Sequence, residues 1–476
     1  MHSNSLFSTF LIPLALAGCA QVTDTSPPAL GLAPAITKPG PGIAGDVSEQ
    51  AWWESLGDKK LNTMVRGSLE QNLSLQAAVS RIAQAQANLD GTGISSALSG
   101  GATAQVRRSG SENGPTSEVR SAGISPSFFI DLFGATKHTR DAATAQLEAS
   151  ELDLGTARLS VVSGVVGAYV QARHLQKSVH VKKEAVEKHR AVTEMEVEKT
   201  RLGAGTELSA AQARLSLERA EKDLVDLETG YRNTVYALAT LLAQPSDDVM
   251  ASMSKAQPLP TPPSEQGAIP VDLLRNRPDV RSAEAVLAAA AASVGVAEAQ
   301  LYPALTLSGN LSTAAGIGSW GFGPALSLPI LNQPALRANV RGSEAAMEQA
   351  HIAWKSAVLA AVEDARRATN SYEGAKRAVA TAENVRRTQQ EVVELAEFSH
   401  ELGNSPFSEV LDARSGLDDA KLAVLTARRD RVQAWSELQV ATGRGWAREC
   451  HELCVSGLAH AGFRYSYALK RSSNMI

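Results

Sequence analysis

An internal repeat restricts the fold of this chain more than any other feature. Leu202-Gly203 recurs as Leu402-Gly403, 200 residues later. An alternation of apolar residues occurs twice, 198 residues apart: Pro126, Phe128, Ile130 and Leu132, then Pro324, Leu326, Leu328 and Ile330. A repeat of this length predicts two halves that share one set of elements. We place the halves at residues 51–264 and 265–446, with the proline-rich segment 258–263 next to their junction.

Each half contains one very long helical segment, at residues 135–201 and 335–401. Each segment has 67 residues and no proline. At 1.5 Å per residue this makes a helix of roughly 100 Å, far longer than a globular domain needs. Four shorter helices are expected: two that return after the long ones, at 207–243 and 407–441, and two medium ones, at 61–89 and 278–300. Each half is therefore predicted to place one long helix beside two shorter helices stacked end to end.

Two strands are predicted between the medium and the long helix of each half. Segment 301–336 has no charged residue, but its four prolines and five glycines exclude a membrane-spanning helix. Apolar residues alternate with small or polar ones in these segments, as in half-buried strands: Leu305, Leu307, Leu311, Phe322, Leu326, Leu328 and Ile330, and Ile124, Phe128 and Ile130 in the first half. The longest charge-free helical stretches, 159–172 and 285–297, have 14 and 13 residues, fewer than the ~20 that cross a bilayer.

Four strands with one apolar face cannot span a membrane as a single chain, because their open edges would leave backbone groups without partners in hydrocarbon. Three copies supply 3 × 4 = 12 strands, a size that membrane barrels use. The predicted fold is thus mainly α-helical, with a duplicated protomer whose trimer forms a 12-stranded membrane β-barrel. The alternative is a soluble coiled-coil lipoprotein whose strands form a small capping sheet.

The N-terminus predicts a lipid anchor. Residues 1–18 read as a lipoprotein signal peptide, because an apolar run leads into Leu16-Ala17-Gly18-Cys19, which resembles the bacterial lipobox. In that motif the Cys19 thiol is alkylated by a diacylglycerol. An ordinary signal peptide that contains a cysteine is the alternative. Residues 19–50 are rich in proline and glycine and are predicted to be an extended tether.

Together these features resemble the TolC-like outer-membrane factor family, in particular its lipoprotein (NodT-like) branch. The motifs that carry the resemblance are Trp52-Trp53, Leu56-Gly57-Asp58, Asn72-Leu73, Asp131-Leu132-Phe133-Gly134, Arg277-Pro278-Asp279-Val280, Tyr302-Pro303 and Val410-Leu411-Asp412-Ala413. The resemblance covers residues 19–446, whereas residues 447–476 form an atypical tail, expected to be an unstructured extension or altered by a frameshift. It implies a homotrimer with a long periplasmic α-helical barrel, a periplasmic adaptor protein and an inner-membrane RND-type pump.

The sequence predicts a passive duct. It contains no phosphate-binding loop, nucleophile elbow or HExxH motif, so we expect no enzyme activity, no cofactor and no metal site. The formal net charge of −4, with the basic residues spread along the chain, argues against a nucleic-acid partner. The expected function is the export of drugs or other small molecules across the outer membrane. A duct for type I protein secretion is the alternative.

Two candidate sites follow from the repeat and the resemblance. The turns after the long helices should be the adaptor-contacting tips: Leu202, Gly203 and Gly205, and Leu402, Gly403 and Asn404. Their glycine or asparagine residues are expected to supply positive φ, and turns with no binding role are the alternative. Glu409 and Asp412 lie three residues apart on one helix face and match the family's acidic entrance, which predicts a periplasmic gate. A solvated helix face is the alternative for this pair.

Overall fold

The computed structural model describes residues 51–93, 97–112, 114–263 and 276–446. The predicted signal peptide, Cys19, the tether, the junction between the proposed halves and the tail after Trp446 lie outside these residues.

The described chain contains eight α-helices and four strands in two similar series. The first series is α1 (Lys59–Gln71), α2 (Leu73–Asp90), β1 (Leu98–Ser109), β2 (Ser117–Ile130), α3 (Ala135–Arg201), α4 (Glu207–Leu242) and α5 (Ser246–Met253). The second is α6 (Pro278–Ala299), β3 (Ala304–Ala314), β4 (Ile317–Ser327), α7 (Gln333–Glu401) and α8 (Phe407–Ala441). A short 3₁₀ helix, Trp52–Leu56, precedes α1. The predicted long and returning helices are confirmed, with 67 residues in α3 and 69 in α7.

The first medium helix differs from the prediction, because residues 61–89 are not one helix. Asn72 is extended and separates α1 from α2. Its side-chain oxygen accepts hydrogen bonds from the backbone N–H groups of Ser74 and Leu75, so it caps α2. Its side-chain nitrogen donates to the carbonyl of Leu241 at 2.8 Å, which fixes the break against α4.

The four strands form one antiparallel sheet in the order β1-β2-β3-β4. The β2–β3 pairing joins the two series and sets Ile124 opposite Leu311 and Phe128 opposite Leu307. Because residues directly opposite each other share a face, one side of the sheet is predominantly apolar. The predicted alternation is therefore confirmed across strands as well as along them.

The last strand is shorter than predicted. β4 ends at Ser327, which pairs with Ala304 at the start of β3, so Leu328 and Ile330 lie beyond the sheet. The prediction that these two residues belong to the strand is wrong. Leu328 has no β3 residue to pair with, and the following Pro329 has no N–H to donate.

The main hydrophobic core lies where α1, α3, α4 and α8 meet. Leu61, Val165 and Val235 are fully buried there. Trp52 packs edge-on against Trp435 of α8, with ring centroids 5.6 Å apart. The core thus joins the beginning of the described chain to its last helix, and both series contribute to it.

Among the described helices, α6 is the one whose length and apolar composition would allow it to cross a membrane. Core helices of soluble proteins also meet these conditions. In this chain Val280 packs against Ala361 of α7, and Ala285 packs against Ala149 and Leu152 of α3. The alanines allow this close approach, so α6 is a packing element between the two long helices.

Candidate functional site: the hairpin tips and the acidic pair

The first tip is a tight reversal between α3 and α4. Gly203 lies at φ +73°, in the left-handed region. Its N–H donates to the carbonyl of Thr200 at 3.1 Å, and the N–H of Ala204 donates to the carbonyl of Lys199 at 2.8 Å. These two bonds are those of a Schellman motif, which satisfies the last carbonyls of a helix and requires a residue that tolerates positive φ.

The second tip repeats this geometry between α7 and α8. Gly403 lies at φ +72°, and its N–H donates to the carbonyl of His400 at 2.9 Å. The N–H of Asn404 donates to the carbonyl of Ser399 at 2.9 Å. The leucine before each glycine is exposed, with 65% of Leu202 and 59% of Leu402 accessible. Both tips therefore present a large apolar side chain to solvent, although contact with an adaptor stays a prediction.

Gly205 and Asn404 do not have the positive φ that the sequence interpretation expected of tip residues. Gly205 is required for space instead, since a Cβ there would lie 2.9 Å from the backbone nitrogen of Thr200. The next residue, Thr206, caps α4 by accepting a bond from the N–H of Ser209 at 3.1 Å. The second tip has Pro406 at this position, and it provides no side-chain cap.

Glu409 and Asp412 are both exposed at the start of α8, while their neighbours Val410, Leu411 and Ala413 are buried. Within the part of the chain that the structure describes, neither carboxylate has a side-chain hydrogen bond or an ion pair. The pair therefore lies on a solvent-facing stripe of α8, with both charges available to a ligand or a neighbouring subunit. That they form a gate stays a prediction.

Comparison with known proteins assigns the family. The model of the outer membrane efflux protein family matches residues 65–244 and 269–444. The chain belongs to that family. It is 33% identical to nodulation protein T of Rhizobium leguminosarum bv. viciae over 462 residues, which cover 94% of this chain and 95% of the relative. It is 30% identical to the pyoverdine export outer membrane protein OpmQ of Pseudomonas putida, over 92% of this chain and 97% of the relative.

Solved channels share the fold of this efflux protein. The outer-membrane channel OprN superposes with a TM-score of 0.76 at 24% identity, over 89% of this chain and 99% of that chain. The CmeC outer membrane channel of Campylobacter jejuni gives 0.75 at 22% identity, over 91% and 97%. The resemblance to TolC-like channels is therefore confirmed. The chain is an outer-membrane efflux channel subunit, and its family is one of ducts rather than of enzymes.

The sequence interpretation missed a buried polar cluster that links the two hairpins of the efflux protein. His189 of α3 lies with Nε2 3.6 Å from Oδ2 of Asp418 in α8. Its Nδ1 is 3.1 Å from Oγ of Ser216 in α4, and Lys421 donates to Asp418 at 3.0 Å. Burial acts to raise the pKa of Asp418, but the nearby ring of His189 and the hydrogen bond from Lys421 outweigh it and hold that pKa below its ordinary value.

No local pattern could have revealed this cluster, because its members are far apart in the sequence and each occurs on an ordinary amphipathic helix. The cluster joins three helices through one imidazole, so it couples the packing of the first hairpin to that of the second. Among the described residues, no group of three or more His, Cys, Asp or Glu side chains is placed to hold a metal ion.

Proposed function

We propose that three copies of this chain form the exit duct of a tripartite system that expels small molecules. In this proposal an inner-membrane RND-type pump delivers the substrate and a periplasmic adaptor joins the pump to the hairpin tips. The observation that carries it is the sheet: within the described residues, β1 pairs only with β2 and β4 only with β3. Two open edges beside an apolar face need further strands in a membrane, and three copies close a 12-stranded barrel.

The relatives favour small molecules over proteins as substrates. Their names include pyoverdine export for OpmQ and a cation efflux system for CusC of Escherichia coli. The name of toxin and drug export protein A of Aggregatibacter actinomycetemcomitans, which is 24% identical, includes a toxin beside drugs. Protein secretion is therefore kept as the second candidate. The two are separated by expressing the chain with its own pump and adaptor in a host that lacks efflux ducts. Restored resistance to small toxic compounds supports the first, and secretion of a protein substrate alone supports the second.

We also propose that Cys19 anchors the chain in the outer membrane. Residues 1–18 would be removed, the thiol would carry a diacylglycerol and the new amino group a palmitate, and residues 19–50 would lead from the lipid to the folded part. The lipobox-like Leu16-Ala17-Gly18-Cys19 supports this. Mass spectrometry of the mature N-terminus should find a lipidated Cys19. An unmodified cysteine, or a chain recovered from the inner membrane, would refute the anchor.

Glu409 and Asp412 are proposed as the gate of this duct. In a trimer they contribute 2 × 3 = 6 carboxylates near the periplasmic entrance. Like charges around one constriction focus a negative potential, which attracts cations and can hold a multivalent ion that plugs the pore.

The test of the gate is single-channel conductance in a planar bilayer. The Glu409→Gln/Asp412→Asn variant should lose cation preference and sensitivity to a trivalent cation. Asp419→Asn, an exposed carboxylate two turns further along α8, is the matched control and should leave both properties nearly unchanged. If the double variant keeps its cation selectivity and its block by the trivalent cation, Glu409 and Asp412 only form a solvated helix face.

A further inference from the structure

The apolar face of the sheet ends in basic residues at the end of the strands remote from the helices. The β1–β2 register sets Leu98 opposite Phe128, Ala102 opposite Ile124 and Val106 opposite Arg120. It then sets Arg108 opposite Glu118, so Arg108 and Arg120 lie on the same face as the apolar residues. We call this side the outward face, because the apolar side of a membrane barrel contacts lipid.

The spacing along β2 places Arg120 at one edge of the apolar band. Ten residues separate Ile130 from Arg120. At about 3.4 Å per residue and a strand tilt of about 40°, they rise roughly 26 Å, close to the ~25 Å height of the apolar band on such barrels. Trp320 lies on the same face at the level of Ile124, through their shared pairing with Leu311, and 83% of it is exposed. Trp320 therefore lies nearer the middle of the apolar band than Arg120 does. This is the order expected of an exposed tryptophan and an arginine at a membrane interface.

The side of the membrane follows from the connections. The chain enters β1 and β3 from helices and leaves β2 and β4 into helices, all at one end of the sheet. The turns that follow β1 and β3 lie at the other end. With the helical hairpins in the periplasm, these turns and the two arginines lie at the outer surface of the cell.

The two arginines have capacity to bind an anion. Within the described residues Arg108 has neither an ion pair nor a side-chain hydrogen bond. Arg120 donates from Nε and Nη2 to a single oxygen of Glu118, at 3.0 and 2.9 Å, and 79% of its side chain is exposed. Glu118 orients Arg120 but leaves its Nη1 and the whole Arg108 guanidinium free. Guanidinium groups bind phosphate in a two-pronged geometry that a lysine does not reproduce.

We propose that Arg108 and Arg120 form a binding site for the phosphate groups of the outer-leaflet glycolipid, with its acyl chains lying on the outward face. This site rests on the proposed barrel and would occur three times around it. Its function would be to fix the barrel to the outer leaflet at a set height. The negative charge of Glu118 weakens the attraction of the site for phosphate, while its contacts with Arg120 hold that guanidinium in one orientation.

Arg107 provides a control one residue away. It lies opposite Val119 on the other face of the sheet, which a barrel turns toward its lumen. It has the same side chain, lies in the same hairpin and is only one residue further from the turn, so a nonspecific charge effect would be similar at Arg107 and Arg108.

The experiment measures binding of diphosphorylated lipid A to purified full-length trimers by native mass spectrometry and by thermal stabilisation. The Arg108→Gln variant should bind severalfold more weakly, and the Arg108→Gln/Arg120→Gln variant at least about tenfold more weakly. Arg107→Gln, which also removes one positive charge, should bind within about twofold of the unaltered protein. Glu118→Gln should bind more tightly. The variants should no longer differ in their affinity for lipid A from which the phosphates have been removed.

Equal losses in Arg107→Gln and Arg108→Gln would overturn the site, as would undiminished binding by the double variant. Dephosphorylated lipid A that binds the unaltered protein as tightly as the diphosphorylated form would overturn it too. Single-channel conductance in phosphatidylcholine separates this failure from failure of the duct itself. Normal conductance in all variants leaves the duct intact and isolates the lipid site. If the unaltered protein forms no channel, the barrel is wrong and the lipid site is overturned with it.

Discussion

The two long helices come from one repeated pattern, yet they have different surroundings. Of the 67 residues in α3, 23 are buried, whereas six of the 69 residues in α7 are buried. α3 packs against α1, α2, α4, α6 and α8, while α7 packs mainly against α6 and α8. Leu159 and Leu359 lie 200 residues apart, the spacing of the tips, but 6% of Leu159 and 61% of Leu359 is exposed. A repeated sequence therefore repeats local structure without repeating the environment.

The difference indicates where a second copy would bind. Large apolar side chains of α7 are accessible in the single chain: Ile352, Leu359, Val385, Leu395 and Phe398. A single copy of the chain leaves this face uncovered. In the proposed trimer a neighbouring protomer would cover part of it, so α3 would stabilise the protomer and α7 the assembly.

Matched leucine substitutions give the largest expected effect. Leu159→Ala should lower the free energy of unfolding by about 2–5 kcal/mol, because it leaves a cavity in a packed core. Leu359→Ala should change the stability of a dissociated protomer by less than about 0.5 kcal/mol and instead reduce the trimer fraction. Denaturant unfolding in detergent and size-exclusion chromatography measure the two quantities. Equal loss of protomer stability in both variants would contradict the assigned roles.

Low pH should destabilise the packing of α3 but not that of α7. Burial, with the positive charge of Arg429, lowers the pKa of His174 to about 4, whereas an unfolded histidine titrates near 6.5. The unfolded state therefore binds more protons between these values, so stability is present above about pH 6.5 and falls as the pH drops toward about 4. None of the six buried residues of α7 is a histidine or a carboxylic acid.

Thermal unfolding across this pH range tests the assignment. His174→Gln should flatten the acid-dependent decrease in melting temperature. His180→Gln, at a position on the same helix whose side chain is 62% exposed, is the matched control and should keep the decrease. Identical pH profiles for both variants and the unaltered protein would show that His174 does not cause the acid sensitivity.

The tips should show the smallest effect on stability and a large one on coupling. A Cβ at Gly203 or Gly403 would meet no atom within 4 Å, so valine there is strained only by its positive φ, by about 1 kcal/mol. Gly203→Val and Gly403→Val should therefore form trimers yet lose drug resistance and crosslinking to the adaptor. Resistance and crosslinking that persist in Gly403→Val would exclude that tip as a contact.

The sequence by itself determined the features that depend on local interactions. The long helices end at the predicted residues because the glycine that terminates each is the residue that tolerates positive φ. The alternation of apolar residues determined which strand faces match, because side chains change sides at every residue. Glu409 and Asp412 share an exposed helix face because three residues make nearly one turn.

Only the tertiary structure decided the features that depend on distant partners. The sequence placed the Asn72-Leu73 motif inside one continuous helix, whereas the extended backbone of Asn72 and its contact with Leu241 reveal a break. β4 ends at Ser327 because this residue pairs with Ala304, the first residue of β3, so Leu328 lies outside the strand. The His189–Asp418 pair and the contrast between Leu159 and Leu359 arise because burial is decided by which helices pack together, and two copies of one pattern acquired different neighbours.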